Sequence, residues 1–232
     1  FLTYGFDNKA NYQIYNVKKK KTHSIFDLKI KVIGSKIKKI EKIQINLLGD
    51  HNIKNATASI AIALNLGIKI NIIKRVLKKF SGIQRRFTKI SSIGQKEFYD
   101  DYAHHPTEIR AVINSARQVY KKRKIICVFQ PHRYSRIKFL KKEFASSFKL
   151  SDVVVLCPVY AAGEKKKYNF SQINFSKLIS IKSKTQVVNI NNNIDLKKYL
   201  QKNLFDDEMV ICMGAGSISN WIREIVNDLR LN

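Results

Sequence analysis

The sequence predicts an α/β protein whose larger part is a mostly parallel, doubly wound sheet, preceded by a smaller segment of strands and helices. Three observations predict it. Apolar runs near 96–101, 124–129, 152–157, 185–190 and 208–213 recur with amphipathic stretches between them, and roughly 30 residues per strand and helix is the size of a βαβ crossover. The hydrophobic period changes from two to about 3.6 at Asn55, so helices follow strands there. The pair Ser81-Gly82 then ends the helical stretch, which divides the chain into segments 1–81 and 82–232.

Residues 12–47 alternate as strands do, with Phe26, Leu28, Ile30 and Val32 on one face and Asp27, Lys29 and Lys31 on the other. They predict an antiparallel meander. Ala56, Ala58, Ile60, Ala61 and Ala63 then favour a closely packed helix closed by Gly67, and Ile73, Val76, Leu77 and Phe80 mark a second one. In the second segment Pro106 suits a first helical position and Glu108 the positive end of the helix dipole, ahead of an apolar stripe at Ile109, Val112, Ile113 and Ala116. Ser135 is the expected N-cap of a helix carrying Ile137, Leu140, Phe144 and Phe148. The glycines at 214 and 216 follow a strand and precede a helix, but Ser219 stands where a dinucleotide fingerprint needs its third glycine, so a tight packing turn is expected there and NAD is not.

Two strings sit where an apolar strand gives way to a helix, the edge of an open parallel sheet at which ligands bind. They are Asp-Asp-Tyr-Ala-His-His-Pro-Thr-Glu at 100–108 and Phe-Gln-Pro-His-Arg-Tyr-Ser-Arg at 129–136, and their basic residues point to an anionic substrate. Arg133 and Arg136 can aim two planar guanidinium groups at one carboxylate, although a helix-start ion pair is the commoner role of such arginines. His104, His105 and His132 lack a regular metal-ligand spacing and have no cysteine beside them, so no zinc site is expected.

Composition narrows the function classes. The formal charge of +27 would raise nucleic-acid binding, but the lysines are spread over nearly every polar face and the longest run is only Lys18 to Lys21. No exposed aromatics interleave with basic residues, so no nucleic-acid partner is expected and a basic binding module is kept only as an alternative. Cys127, Cys157 and Cys212 lie in apolar runs and read as buried thiols. No run approaches the roughly 20 apolar residues of a membrane span and no secretory signal opens the chain, so no membrane partner and a cytoplasmic setting are expected. The first residue is Phe1 and the only methionines are Met209 and Met213, which is expected of the later part of a longer protein.

Five strings taken together, Gly-Asp-His-Asn-Ile-Lys-Asn-Ala (49–56), Gly-Ile-Gln-Arg-Arg-Phe (82–87), the two strings above and Val-Tyr-Ala-Ala-Gly-Glu (159–164), followed by Gly-Ala-Gly-Ser-Ile (214–218), run in an order that resembles the alanine-adding branch of the Mur ligase family. The resemblance covers essentially the whole chain. It implies that residues 1–81 end a central ATP-binding domain and that 82–232 form a Rossmann-like C-terminal domain. It also implies a cytoplasmic, ATP- and Mg²⁺-dependent ligase of peptidoglycan synthesis, in which the carboxylate of UDP-N-acetylmuramate becomes an acyl phosphate that the L-alanine amine attacks. No Gly-x-x-x-x-Gly-Lys-Ser/Thr loop occurs, so the phosphate loop and most Mg²⁺ ligands are expected in an upstream segment, and this chain alone is expected to be inactive.

Residue by residue, the resemblance assigns Arg133, Arg136 and His104 to catalysis, and these three with Tyr102 to the amino-acid pocket. Asn52 and Asn55 would face the adenine, Asp101 the ATP ribose, and Arg86 the phosphates, with Arg85 competing for that last role. Read without it, Asn52 is an N-cap, the His-His-Pro turn a capping feature and the two adjacent arginines linker charges. Asp100, His105 and His132 are expected to be structural. Ala103 and Ser217 depart from the family pattern, which more often has Gly and Asp there; a methyl group at 103 matters only if that residue needs a positive φ. A tripeptide-adding ligase that recycles cell-wall fragments shares a string like 100–106 and remains the alternative, although it lacks the form seen at 129–136.

Overall fold

The computed structural model describes residues 1–20, 22–31, 36–80, 82, 84–165, 170–205 and 207–231. Val32, Lys21 and Ser81, named above, lie outside them. The chain separates into two compact units, Phe1–Gly82 and Ile83–Asn232.

The first unit is a four-stranded sheet with two helices. Strands β2 (Tyr12–Lys19), β3 (Ser24–Ile30) and β4 (Lys38–Ile45) pair antiparallel in succession, and the two-residue β1 (Tyr4–Gly5) adds a parallel edge to β2 that no hydrophobic pattern announced. Bulges interrupt both antiparallel pairings, and Asp27 satisfies them by accepting hydrogen bonds from Asn16 Nδ2 at 2.9 Å and from the Lys42 amide at 2.7 Å. Phe26, Leu28, Ile43 and Ile45 form the inner face. Helix α1 (Asp50–Asn65) packs Ile53, Ala56 and Ile60 on it, and α2 (Ile70–Lys79) packs Ile73.

Helix α1 begins at Asp50 with Gly49 as its N-cap, five residues before the change of period at Asn55. Asn52 is therefore inside the first turn and is not the cap; its Nδ2 donates to the Leu48 carbonyl at 2.8 Å. The far end follows expectation. Gly67, at φ +79°, takes the left-handed position after the helix, its amide donating to Leu64 and that of Ile68 to Ala63, each at 3.0 Å. Along α2 the apolar stripe is only partly covered, since Val76 is 57% exposed and Phe80 lies just past the helix end.

The second unit is a six-stranded sheet built from β5 (Thr88–Ile93), β6 (Lys96–Asp101), β7 (Lys124–Phe129), β8 (Val153–Leu156), β9 (Gln186–Asn189) and β10 (Glu208–Met213). Its order is β5-β6-β10-β7-β8-β9, parallel throughout except for the β5/β6 hairpin. Alternate residues of the central strands enter two separate cores. On one face Cys127, Phe129, Val154, Leu156, Ile211 and Met213 meet α3 (Pro106–Val119), α5 (Lys141–Ala145) and α6 (Gln172–Ser183). On the other Ile126, Val128, Val155, Val210 and Cys212 meet α7 (Asn193–Asn203) and α8 (Ile218–Leu231). Helices on both faces make the sheet doubly wound, and burial on both sides explains why its strands are continuous apolar runs.

Two expectations fail locally. The helix foreseen through Phe148 is broken: α4 (Tyr134–Phe139) and α5 are separate, with Leu140 at φ −115° closing one and opening the other. Ile137, Phe144 and Phe148 are all buried across the break, so the apolar spacing could not reveal it. Ser135 is not a cap either. Arg133 holds that position, and Ser135 sits in the first turn of α4.

Candidate functional site

In-register pairing brings the carboxyl ends of three strands level, because Met213 of β10 is opposite Asp101 of β6 and Phe129 of β7. The loops that leave them, 102–105, 130–133 and 214–217, therefore emerge side by side. The first is held by its own helix. His105 caps α3, its Nδ1 accepting from the Thr107 amide at 3.3 Å, while Glu108 accepts from the amides of His104 at 3.0 Å and His105 at 3.1 Å. His105 is thus a capping residue, as expected, and Ala103 is fully buried without a positive φ.

His104 donates from Nδ1 to the Tyr102 carbonyl at 2.8 Å, which leaves its Nε2 with an acceptor lone pair in the neutral ring. Its ring lies 5.1 Å from that of Tyr102, edge-on, and 5.6 Å from that of His132. His132 in turn stacks on Tyr160 at 5.5 Å, and its Nδ1 is 3.4 Å from Arg136 Nη1. Tyr102, His104 and Arg136 thereby belong to one cluster, with His132 as the link between the imidazole and the guanidinium. Burial lowers the His132 pKa from its ordinary value, and the cations Arg136 and Arg133 with His104 add to it. A neutral His132 beside a cationic Arg136 suits a site that receives an anion.

Arg133 is exposed, at φ +70°, a left-handed backbone position that costs a non-glycine residue about 1–3 kcal/mol. Its amide donates to the Tyr160 carbonyl at 2.9 Å, and the Tyr160 amide donates to Pro131 at 2.8 Å, so 131–133 runs as a short bridge beside Tyr160. Two residues on, both the Ser135 amide, at 3.0 Å, and its hydroxyl donate to the Glu164 carboxylate. These hydrogen bonds hold Glu164 below the usual carboxylate range, helped by the charge of Arg133. A depression on the surface nearby, lined by Tyr134, Ser135, Lys138, Phe139 and Glu164 among others, does not include His104, Arg133 or Arg136.

Asp101 sits differently from an open ligand. It is 3% exposed, and its two oxygens already accept 2.7 Å bonds from the amides of Ala103 and Phe87, which ties the 85–87 segment to the end of β6. Burial pushes its pKa up to about 6 despite those bonds. A ribose hydroxyl would meet only the remaining lone pairs. Asp100 is structural, as expected: fully buried, it accepts from Ser219 Oγ at 2.5 Å and Arg223 Nη2 at 3.2 Å.

The two competing arginines separate clearly. Arg85 turns inward, donating to the Gly214 carbonyl at 2.6 Å with its guanidinium 4.7 Å from the Tyr102 ring. Arg86 is exposed and 5.8 Å from the same ring. In the first unit, Asn52 and Asn55 lie in the opening turns of α1; Asn55 is exposed, and Asn52 is half-buried with its amide engaged as described.

The glycine turn is a packing device. A Cβ on Gly216 would meet the Tyr160 ring at 2.4 Å and Gln130 Oε1 at 2.6 Å, while Gln130 itself bonds Ser217 Oγ and the Ile218 amide. Sequence reasoning set His132 aside and gave Tyr160, Glu164 and Gln130 no role. The string at 159–164 was the available signal for two of them, but neither periodicity nor spacing said what it touched. The three thiols are fully buried, and burial pushes Cys127 up to about 12 and raises Cys157 and Cys212 as well. Among the described residues no group of three or more His, Cys, Asp or Glu side chains is placed to hold a metal ion, and no helix is long and apolar enough to cross a membrane.

Comparison with known proteins gives a consistent picture. The model of the Mur ligase middle domain matches residues 1–63, and that of the Mur ligase glutamate ligase domain matches 85–216. The UDP-N-acetylmuramate–L-alanine ligase of Pelagibacter ubique is 51% identical over 225 residues, 97% of this chain and 48% of that protein. Its namesake from Bartonella tribocorum is 37% identical over 222 residues, 95% of this chain and 46% of that protein. The solved UDP-N-acetylmuramate-alanine ligase of Thermotoga maritima superposes with a TM-score of 0.75 at 25% identity, over 99% of this chain and 48% of that one. A murein peptide ligase from Psychrobacter arcticus shares the fold, with a TM-score of 0.68 at 19% identity, over 98% of this chain and 46% of that one. The chain spans about half the length of the curated relatives it matches.

Proposed function

The chain belongs to the Mur ligase family, and on that premise we propose that it is the carboxyl-terminal part of an ATP-dependent ligase that joins L-alanine to UDP-N-acetylmuramate in peptidoglycan synthesis. Residues 1–81 would close the ATP-binding domain and 82–232 would bring the amino acid. The observation that carries the reading is the cluster of Tyr102, His104, His132 and Arg136 at the carboxyl edge of the sheet, with Arg133 at the adjoining helix start. ATP supplies the phosphoryl group that activates the sugar carboxylate.

Each side chain then has a physical task. Arg136 and Arg133 bind the alanine carboxylate and stabilise the negative charge of the tetrahedral intermediate. The free Nε2 of His104 faces the amine as a proton acceptor, since only the neutral amine attacks. Tyr102 covers the small side chain and helps exclude water, which would hydrolyse the acyl phosphate. Asn55 with Asn52 would hold the adenine. Arg86, exposed where Arg85 is engaged, is the arginine proposed for the phosphates. Mg²⁺ would be held mainly by residues outside this chain, and the setting is the cytoplasm, as the two nucleotide substrates require.

In the full-length protein, phosphate release from ATP should depend on both UDP-N-acetylmuramate and L-alanine, and Arg133→Ala should lose most of it. Release that ignores either substrate would refute the reading. The tripeptide-adding alternative is tested in the same assay by replacing alanine with the tripeptide. The arginine pair at 133 and 136 favours alanine.

A further inference from the structure

The segment Tyr160 to Glu164 has no part in the proposed chemistry, yet it holds the arginine turn at both ends. At the near end the Tyr160 carbonyl binds the Arg133 amide at 2.9 Å and the Tyr160 ring stacks on His132 at 5.5 Å. At the far end Glu164 receives the amide and hydroxyl of Ser135, two positions after Arg133. Between these two anchors Arg133 is at φ +70°. A strained residue keeps such a conformation only where its surroundings over-determine it.

We propose that Glu164 is a positioning residue for the amino-acid site, whose carboxylate fixes the first turn of α4 so that Arg133 and Arg136 leave that turn toward His132 and His104. The inference rests on the amino-acid site proposed above. Four features converge on it. The N-cap of helix α4 makes no side-chain hydrogen bond, so the first amides of the helix take their acceptor from elsewhere in the chain. Ser135 is a helix residue with its donors turned outward to Glu164. The one φ above zero in the turn is the arginine that must be aimed. Gly216 lacks a side chain where Tyr160 lies, so the segment is itself seated against the neighbouring turn.

The role is distinct from binding. Glu164 and an amino-acid carboxylate are both anions, so Glu164 does not contact that group; it acts through Ser135 and the backbone of Arg133. Its loss should loosen one substrate without slowing the chemistry to the same degree. A glutamine keeps the shape but presents one acceptor and one donor to two donors, and an aspartate keeps the charge with a shorter reach.

Two measurements test this. In the full-length protein, Glu164→Gln should raise KM for L-alanine about tenfold and lower kcat by a smaller factor, with KM for ATP unchanged; Ser135→Ala, which keeps the backbone hydrogen bond, should show the same pattern at smaller size. Equal changes in every constant, or none in a folded variant, overturn the proposal. The second readout needs no activity. In the 232-residue chain the Ser135 amide resonance should titrate with a midpoint below the ordinary glutamate value of about 4.3, and that titration should vanish in Glu164→Gln. A Ser135 amide indifferent to pH overturns the clasp. If the clasp titrates but the full-length protein ignores alanine, the site reading fails and not the contact; the positioning role falls with it.

Discussion

At the scale of single residues, two titrating groups give opposite signs. Burial, then the cations Arg136 and Arg133, keep the His132 pKa below its ordinary value, so as the pH falls through about 6.5 the unfolded chain takes up a proton that the folded chain does not. This site's contribution to stability is fully present above that value and is lost on the acid side. His132→Gln should flatten the loss of stability between neutral and mildly acid pH, measured by urea denaturation; an unchanged slope would mean that His132 titrates as a free side chain. Asp101 behaves conversely. Its folded pKa of about 6 lies above that of an unfolded carboxyl, so its contribution falls as pH rises through that window and is constant above it. A carboxyl carbon titration with an ordinary midpoint would contradict the burial argued for it.

Elements were legible where one pattern dominated and illegible where tertiary contacts overrode it. The central strands could be read because both faces are buried, and α3 because Pro106, Glu108 and an apolar stripe agree. The β5 strand, Thr-Lys-Ile-Ser-Ser-Ile, is an edge strand with only Ser91 buried and carries no such signal. The break at Leu140 and the capping of α4 by a distant glutamate were likewise invisible, since both depend on partners about 30 residues away or on a kink that preserves the apolar spacing. At the site, the arginines and His104 stood out by residue type. His132, Tyr160 and Glu164 gain meaning only from what they touch.

One element is testable by a methyl group. Gly216→Ala places its Cβ 2.4 Å from the Tyr160 ring, and overpacking of this kind costs about 1–3 kcal/mol in urea denaturation. Gly67→Ala, at φ +79° but in open space, should cost about 1 kcal/mol through backbone strain alone. Equal small effects at both positions would mean that the 214–217 turn is not packed against Tyr160.

At the scale of the whole molecule, the formal charge of +27 and the spread of its lysines say little about chemistry; a few placed groups say more. The second unit supplies a doubly wound sheet whose carboxyl edge gathers aromatic, imidazole and guanidinium groups from separate loops. Exposed lysines would attract anions from any direction, whereas a planar guanidinium held 3.4 Å from His132 has, in the function proposed above, the shape to select a carboxylate. The most direct measurement is therefore the dependence of phosphate release on L-alanine concentration in the full-length protein, for wild type and for Arg136→Lys. Charge is kept in that variant and the bidentate geometry is lost, so KM for L-alanine should rise by about tenfold or more while KM for UDP-N-acetylmuramate stays unchanged. An Arg136→Lys protein with wild-type affinity for alanine would show that the cluster at 102, 104, 132 and 136 is not the amino-acid site.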